Sequence, residues 1–220
     1  RLSGELIKDI EPQFIPRNRF KFMVIDGAGD DKTGKGDAWA VGVIGVEPYG
    51  DDLGASRIFI EDLLISPLRE EEAPEEIARM YRRNGLIMQV GIEKVGMSTV
   101  EIHVANALAK YGVYLSVDKM NLVLLRPAGL DNQTRISKAL PWPMFNGKIF
   151  LSTAIPSVYA DRLRQEADKF PFWHDDGLTI LAYLYTMIKD YHLGWFDEYE
   201  DEEPQRGKVV EMGRSSVTGY

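Results

Sequence analysis

The sequence predicts an α/β fold in which a mixed β-sheet, an antiparallel meander extended by parallel strands, is flanked by helices on both faces. Three observations support this fold class. Three β-rich segments follow one another in the first third of the chain, which favours an antiparallel meander. Strand-like and helical periods then alternate, which is typical of parallel strands joined by helices. Over 220 residues the composition is 45% hydrophobic and 27% charged, which is usual for a globular protein.

The three strands of the predicted meander lie at residues 20–26, 38–46 and 57–65, each rich in β-branched and aromatic residues. The first helix is predicted to begin at Pro74, because proline is favoured in the first turn, and to end at Asn84, before Gly85. The other predicted elements are strands at 86–93, 122–125 and 147–151 and helices at 98–111, 133–140, 157–169 and 176–192.

One domain, at residues 20–195, is predicted between two terminal segments. Residues 1–19 are expected to form a lead-in segment, and residues 196–220 an acidic, disordered tail. Because the chain begins with Arg1 rather than Met, we expect it to be a fragment cut from a longer protein. The absence of cysteine excludes disulfides and thiolate metal sites, and the absence of a run of 18 apolar residues argues against a membrane span.

The net charge of −8 is unevenly distributed along the chain. Residues 1–76 carry −8, residues 77–174 carry +6 and residues 175–220 carry −6. A basic middle segment therefore lies between two acidic ends. Such blocks are usually solvated surface, but a basic segment is also what contact with a nucleic-acid backbone requires.

Gly29 to Gly36 nearly matches the phosphate-binding pattern G-x-x-x-x-G-K-[ST]. Its last position is a glycine, which has no hydroxyl to bind magnesium, and its two aspartates would repel phosphate oxygens. Strand sequence follows, whereas the pattern needs a helix whose amino end faces the phosphates. We therefore interpret this segment as a hairpin loop, with a nucleotide-binding module as the alternative.

Acidic side chains stand at the ends of several predicted elements. Asp26 ends the first strand, Glu93 ends the fourth, and Asp175 and Asp176 begin the last long helix. A turn acid or a helix cap explains each one singly, but the carboxyl ends of parallel strands meet at one crevice. Crowded carboxylates need a cation, and hard oxygen ligands favour Mg²⁺ or Mn²⁺. Two such ions, roughly 3.5–4 Å apart, activate water and stabilise the leaving oxygen of a phosphodiester, which is nuclease chemistry.

Five segments, taken in order, resemble the nuclease domain of viral terminase large subunits, which belongs to the RNase H-like superfamily. They are residues 23–26, 35–40, 90–96, 132–149 and 174–178. The fourth is similar to that family's K/R-x-x-R-I…L-x-P-x-F-x-x-G-K-I segment. The resemblance covers about residues 20 to 192. It implies an RNase H-like fold and a metal-dependent endonuclease that cleaves concatemeric double-stranded viral DNA during genome packaging, using two Mg²⁺ or Mn²⁺ ions.

The resemblance also implies roles for individual residues. It implies that the catalytic metal ligands are Asp26, Glu93 and Asp176. It also implies that Asp175 and Asp37 are further metal ligands and that His174 is an accessory group. Thr179 stands where many members carry another Asp, which leaves open how Asp175, Asp176 and His174 divide the role of third ligand. The basic residues predicted to contact DNA are Arg126, Arg135, Lys138 and Lys148.

Partners and location follow from the same resemblance. The substrate is expected to be double-stranded DNA, and the partners are the terminase ATPase domain, the small terminase subunit and the portal, with no membrane. The expected location is the cytoplasm of the host cell. Three alternatives remain: a resolvase- or transposase-like nuclease of the same fold, the nucleotide-binding module, and a non-catalytic packaging scaffold.

Overall fold

The structure is a computed structural model that describes residues 1–27, 38–49, 56–94, 99–126 and 131–190 of the chain. The strands within these ranges are β1 (Lys8–Ile10), β2 (Phe20–Asp26), β3 (Trp39–Glu47), β4 (Arg57–Ser66), β5 (Ile87–Glu93), β6 (Leu122–Leu125) and β7 (Ile149–Ser152). The helices are α1 (Ala73–Asn84), α2 (Val100–Ala109), α3 (Asn132–Ala139), α4 (Pro141–Phe145), α5 (Ser157–Lys169) and α6 (Asp176–Asp190).

All seven strands form one sheet in the order β1-β7-β4-β3-β2-β5-β6. Strand β3 is antiparallel to both of its neighbours, β2 and β4, and every other pair in the sheet is parallel. The carboxyl ends of β2 and β5 therefore lie side by side, with Ile25 opposite Ile92. The predicted α/β fold class, a mixed sheet that combines an antiparallel meander with parallel strands, is confirmed.

The helices cover both faces of the sheet, as the sequence predicts. One face packs against α3, α5 and α6, and the other against α1 and α2. Side chains alternate along β2, so that Val24 belongs to the core beneath α6 and Ile25 to the core beneath α1 and α2. By the same alternation Asp26 faces α6. Glu93 does so too, because Ile92 packs on the α1 and α2 side.

The first nineteen residues are more than a lead-in. Strand β1 pairs with β7 at the edge of the sheet, and Leu2 and Ile7 are buried in the core. The edge of β7 offers unpaired backbone groups, and pairing satisfies them even though β1 is short and polar. Helix α4 was also not predicted, because its proline-rich sequence is typical of a turn.

Some predictions fall outside the described residues. These are the glycine-rich loop from Gly29 to Gly36 and the acidic tail from Asp197 to Glu203. Among the residues that are described, no helix is both long enough and apolar enough to cross a membrane.

Candidate active site

The carboxyl groups of Asp26 and Glu93 meet at the carboxyl edge of the sheet. Asp26 is buried and forms a side-chain hydrogen bond with Glu93. Burial, this hydrogen bond and the negative charges of Glu93, Asp176 and Asp175 raise the pKa of Asp26 well above its usual value. The raised pKa favours the protonated form of Asp26. The four acids come from three separate parts of the chain, and the structure brings them together.

Asp175 and Asp176 differ in their surroundings although they are adjacent in sequence. Asp176, the first residue of α6, is buried, whereas Asp175 is half-buried. An oxygen of Asp176, Oδ2, accepts a hydrogen bond from Arg162 Nη2 on α5 at 2.7 Å. This ion pair fixes the orientation of the Asp176 carboxylate toward the end of the sheet.

A third buried acid, Glu166 on α5, holds the amino end of α6. Its Oε2 accepts hydrogen bonds from the backbone N–H groups of Gly177 at 2.7 Å and Leu178 at 3.2 Å, which no residue of α6 itself would satisfy. Arg162 Nε lies 3.4 Å from the other oxygen of Glu166. A Cβ at Gly177 would lie 2.9 Å from Glu166 Oε2, so glycine permits this close approach. Glu166 thereby fixes where α6 begins.

Neither Arg162 nor Glu166 was identified from the sequence. Glu166 is fully buried between Leu163 and Ala167, which also face the core. A charged residue on the buried stripe of an amphipathic helix is rare without a partner, and this signal was available in the sequence. Helical spacing does place Arg162 one turn before Glu166 on α5. The backbone partners Gly177 and Leu178, however, lie on α6, and no spacing rule reveals them.

Glu166 also makes the stability of the folded protein depend on pH. Burial and the charge of Asp176 raise the pKa of Glu166 from 4.5 to about 7, against the opposing effect of Arg162 and the two backbone N–H groups. The folded state therefore binds this proton more tightly than the unfolded state. The resulting stability is complete below the unfolded pKa and is lost as the pH rises through the folded pKa.

Replacing Glu166 with Gln, which cannot titrate but keeps an acceptor for the helix, is expected to remove this contribution. The free energy of unfolding of the wild type should fall between pH 4.5 and 7, relative to that of Glu166→Gln, by on the order of 3 kcal/mol. Urea unfolding of both proteins across this range measures the difference. Parallel pH profiles for the two proteins would contradict the expectation.

Tyr183 on α6 also contacts Glu93. Its hydroxyl donates a hydrogen bond to Glu93 Oε1 at 2.5 Å, and its side chain is fully buried. Burial and the negative charge of Glu93 raise the pKa of Tyr183, so its hydroxyl remains a donor. Sequence reasoning treated Tyr183 only as part of the helix, because an aromatic residue on an apolar face gives no sign of a polar contact.

Arg135 lies over this tyrosine. Its guanidinium carbon is 4.0 Å from the centroid of the Tyr183 ring, and the residue is only 7% exposed. The predicted DNA contact of Arg135 is therefore corrected: a buried side chain stacked on a ring offers little surface to a phosphate. Instead, its guanidinium group packs against the face of the Tyr183 ring.

The other predicted site residues lie at different distances from this cluster. Arg126 is exposed and follows β6, so it lies at the same edge of the sheet as Glu93, and Lys138 is exposed on α3. Lys148 precedes β7, which runs parallel to β2 and β5, so it lies at the opposite edge and does not share the crevice. His174 is exposed and packs edge-on against Trp173, with ring centroids 5.2 Å apart. The predicted ligand Asp37 lies outside the described residues.

Whether the cluster suits a metal ion is decided by its donors and its charge. In the part of the chain that the structure describes, no three His, Asp or Glu side chains are already arranged as a metal-binding group. Oxygens of Asp176 and Glu93 are held by Arg162 and Tyr183 instead. The donors are nonetheless all carboxylates, which suit Mg²⁺ or Mn²⁺. The crowding that raises the pKa of Asp26 is what a bound cation relieves, so these residues fit a divalent metal.

Comparison with known proteins finds similar solved structures but no matching sequence. Neither a protein-family profile nor a curated protein sequence matches this chain. The large terminase nuclease from thermophilic phage G20c is a similar solved structure, with 14% identity and a TM-score of 0.48 over 84% of this chain and 98% of that one. RuvC from Thermus thermophilus is another, with 12% identity and a TM-score of 0.33 over 76% of this chain and 96% of that one. At these identities neither similarity assigns a role to a residue.

Proposed function

We propose that this chain is a metal-dependent endonuclease that hydrolyses phosphodiester bonds of DNA with two divalent ions. The observation that carries the proposal is the meeting of Asp26 and Glu93, at the ends of adjacent parallel strands, with Asp175 and Asp176 at the start of α6. So dense a cluster of carboxylates is costly for a fold unless it binds a cation.

Asp26, Glu93 and Asp176 are the residues proposed to hold the metal, with Asp175 beside them. When bound, Mg²⁺ or Mn²⁺ would lower the pKa of water and neutralise negative charge on the scissile phosphate. The pKa of Asp26 is raised in the unliganded cluster, and its carboxyl group must be ionised to act as a ligand. Arg162 and Tyr183 orient the Asp176 and Glu93 carboxylates before any ligand arrives.

The substrate is proposed to be concatemeric double-stranded viral DNA, cut during genome packaging. Arg126 and Lys138, both exposed, would contact phosphates near the cluster without reading sequence. The proposed partners are the terminase ATPase domain, the small terminase subunit and the portal, in the cytoplasm of the host cell. The net charge of −8 predicts weak binding to DNA by this chain alone.

Cleavage of a supercoiled plasmid tests the proposal. The wild-type chain is expected to nick and linearise the plasmid with Mg²⁺ or Mn²⁺ and to stop when the metal is chelated. Cleavage that continues in excess chelator would contradict the metal requirement. No cleavage at any metal concentration is what the non-catalytic scaffold predicts.

Cleavage of branched DNA distinguishes a packaging nuclease from a resolvase-like nuclease. A packaging nuclease should cut a linear duplex and a four-way junction of the same sequence at similar rates, because its substrate is unbranched. A strong preference for the junction would favour the resolvase-like alternative.

A further inference from the structure

We propose that Tyr183, supported by Arg135, is a positioning residue that holds the Glu93 carboxylate in the orientation needed for metal binding. The inference rests on the proposed function, and it assigns to these two residues a role that neither their types nor their spacing suggested.

Two groups contact the carboxyl group of Glu93. Asp26 contacts its carboxyl group from the neighbouring strand, and the Tyr183 hydroxyl donates to Oε1 from the helix above. Tyr183 lies seven residues after Asp176, about two turns of helix, so both residues are on the face of α6 that covers the sheet. One rigid helix therefore supplies a proposed ligand, Asp176, and the group that orients another, Glu93.

Arg135 strengthens this arrangement from below the ring. Its guanidinium lies over the face of Tyr183, where the electron-rich π system attracts a cation. A cation on the ring face draws electron density from the phenol, which makes the hydroxyl a better donor to Glu93. Arg135 is held in place by Asn132 Oδ1, 2.9 Å from Nη1, and by the packing of α3 on α6. Removing the Arg135 side chain would therefore remove a positive charge and also leave the Tyr183 ring less tightly packed.

The same helix provides a matched control. Tyr185 lies two residues further along α6, and its hydroxyl oxygen is buried with no hydrogen-bond partner among the described residues. Changing Tyr185 to Phe removes a hydroxyl from the same helix without touching Glu93. Any effect of Tyr183→Phe that Tyr185→Phe does not share is therefore due to the contact with Glu93.

Binding of Mn²⁺, measured by titration calorimetry on the full chain, is the primary test. The Tyr183→Phe protein is expected to bind Mn²⁺ about 10-fold more weakly than the wild type, the usual loss when a group supporting a metal ligand is removed. Tyr185→Phe should bind it within about twofold of the wild type. In plasmid cleavage, Tyr183→Phe should need a correspondingly higher Mn²⁺ concentration for half-maximal rate, while its KM for DNA stays unchanged.

Arg135 is tested separately, because its proposed role and a DNA contact predict different losses. Arg135→Met should weaken Mn²⁺ binding but leave the salt dependence of DNA binding unchanged. Lys138→Met, on the exposed side of the same helix, should leave Mn²⁺ binding unchanged. It should lower the slope of log K for DNA binding against log salt concentration by about 0.9, for one lost phosphate contact. If Arg135→Met does not fold, the outcome for Tyr183 decides the inference.

Several outcomes would overturn the inference. Equal Mn²⁺ affinities for Tyr183→Phe and Tyr185→Phe, or tighter binding by Tyr183→Phe, would show that the hydroxyl does not position Glu93. The proposed function would survive this outcome as long as the wild type still cleaves DNA. A wild type that neither binds Mn²⁺ nor cleaves DNA would overturn both the function and the inference.

Discussion

Asp26→Asn and Glu93→Gln are each expected to lower Mn²⁺-dependent plasmid cleavage by on the order of 10³-fold, which corresponds to several kcal/mol of lost transition-state stabilisation. Each amide keeps the shape of the side chain it replaces but removes one of the charges that hold the cation. Asp118→Asn, the same change at an exposed position, is the control and should cleave at the wild-type rate. A protein carrying Asp26→Asn that cleaves as fast as wild type would contradict the site.

Asp26→Asn is expected to stabilise the folded protein even though it lowers the rate of cleavage. Because the pKa of Asp26 is raised in the folded state, the stability it provides is present only at low pH and is lost as the pH rises. At neutral pH and without metal, Asp26→Asn should therefore unfold at a higher temperature, by about 2–4 °C for each kcal/mol gained. Added Mn²⁺ should raise the unfolding temperature of the wild type but not of this variant.

The second large effect is expected at the start of α6, where adjacent acids provide a matched pair. Asp176→Asn should lower cleavage by about 100-fold or more, whereas Asp175→Asn should lower it by less than about 10-fold. Asp176 is buried and is held by Arg162, whereas Asp175 is half-buried. Asn at either position can still serve the helix end, so the folded structure should survive both changes.

Cleavage rates at saturating Mn²⁺, with the unfolding temperature as a check on folding, compare the two variants. A larger loss for Asp175→Asn than for Asp176→Asn would transfer the role of third ligand to Asp175. Equal losses would mean that the two acids share that role.

The cluster of acids at the carboxyl edge of the sheet could be predicted from the sequence because it depends on local signals. Asp26 and Glu93 each follow an apolar strand, and parallel strands joined by helices place their carboxyl ends together. Asp176 stands at a helix start, where an acid is common. None of these positions requires knowledge of which surfaces pack against each other.

The supporting residues could not be predicted because they depend on packing between distant elements. Arg162 reaches Asp176 only because α5 lies against α6, and Tyr183 reaches Glu93 only because α6 crosses β5. Charge suggested that Arg135 lies on the surface, but α3 turns it inward onto the Tyr183 ring.

The strand order of the sheet explains two further differences between the predictions and the structure. Lys148 is close in sequence to residues near the site, yet the direction of β7 places it at the far edge of the sheet. Strand β1 has no alternating pattern of its own and exists because β7 accepts a partner. Both features follow from the strand order, which local sequence does not specify.

We propose that Asp26, Glu93 and Asp176 bind the divalent ions of a nuclease. Anomalous diffraction at the manganese edge, from a crystal of this chain soaked in Mn²⁺, tests it most directly. We predict manganese peaks bounded by these three carboxylates, with Asp26 no longer hydrogen-bonded to Glu93. A crystal of protein that cleaves DNA but shows no manganese between these carboxylates, or shows it only elsewhere, would contradict the claim.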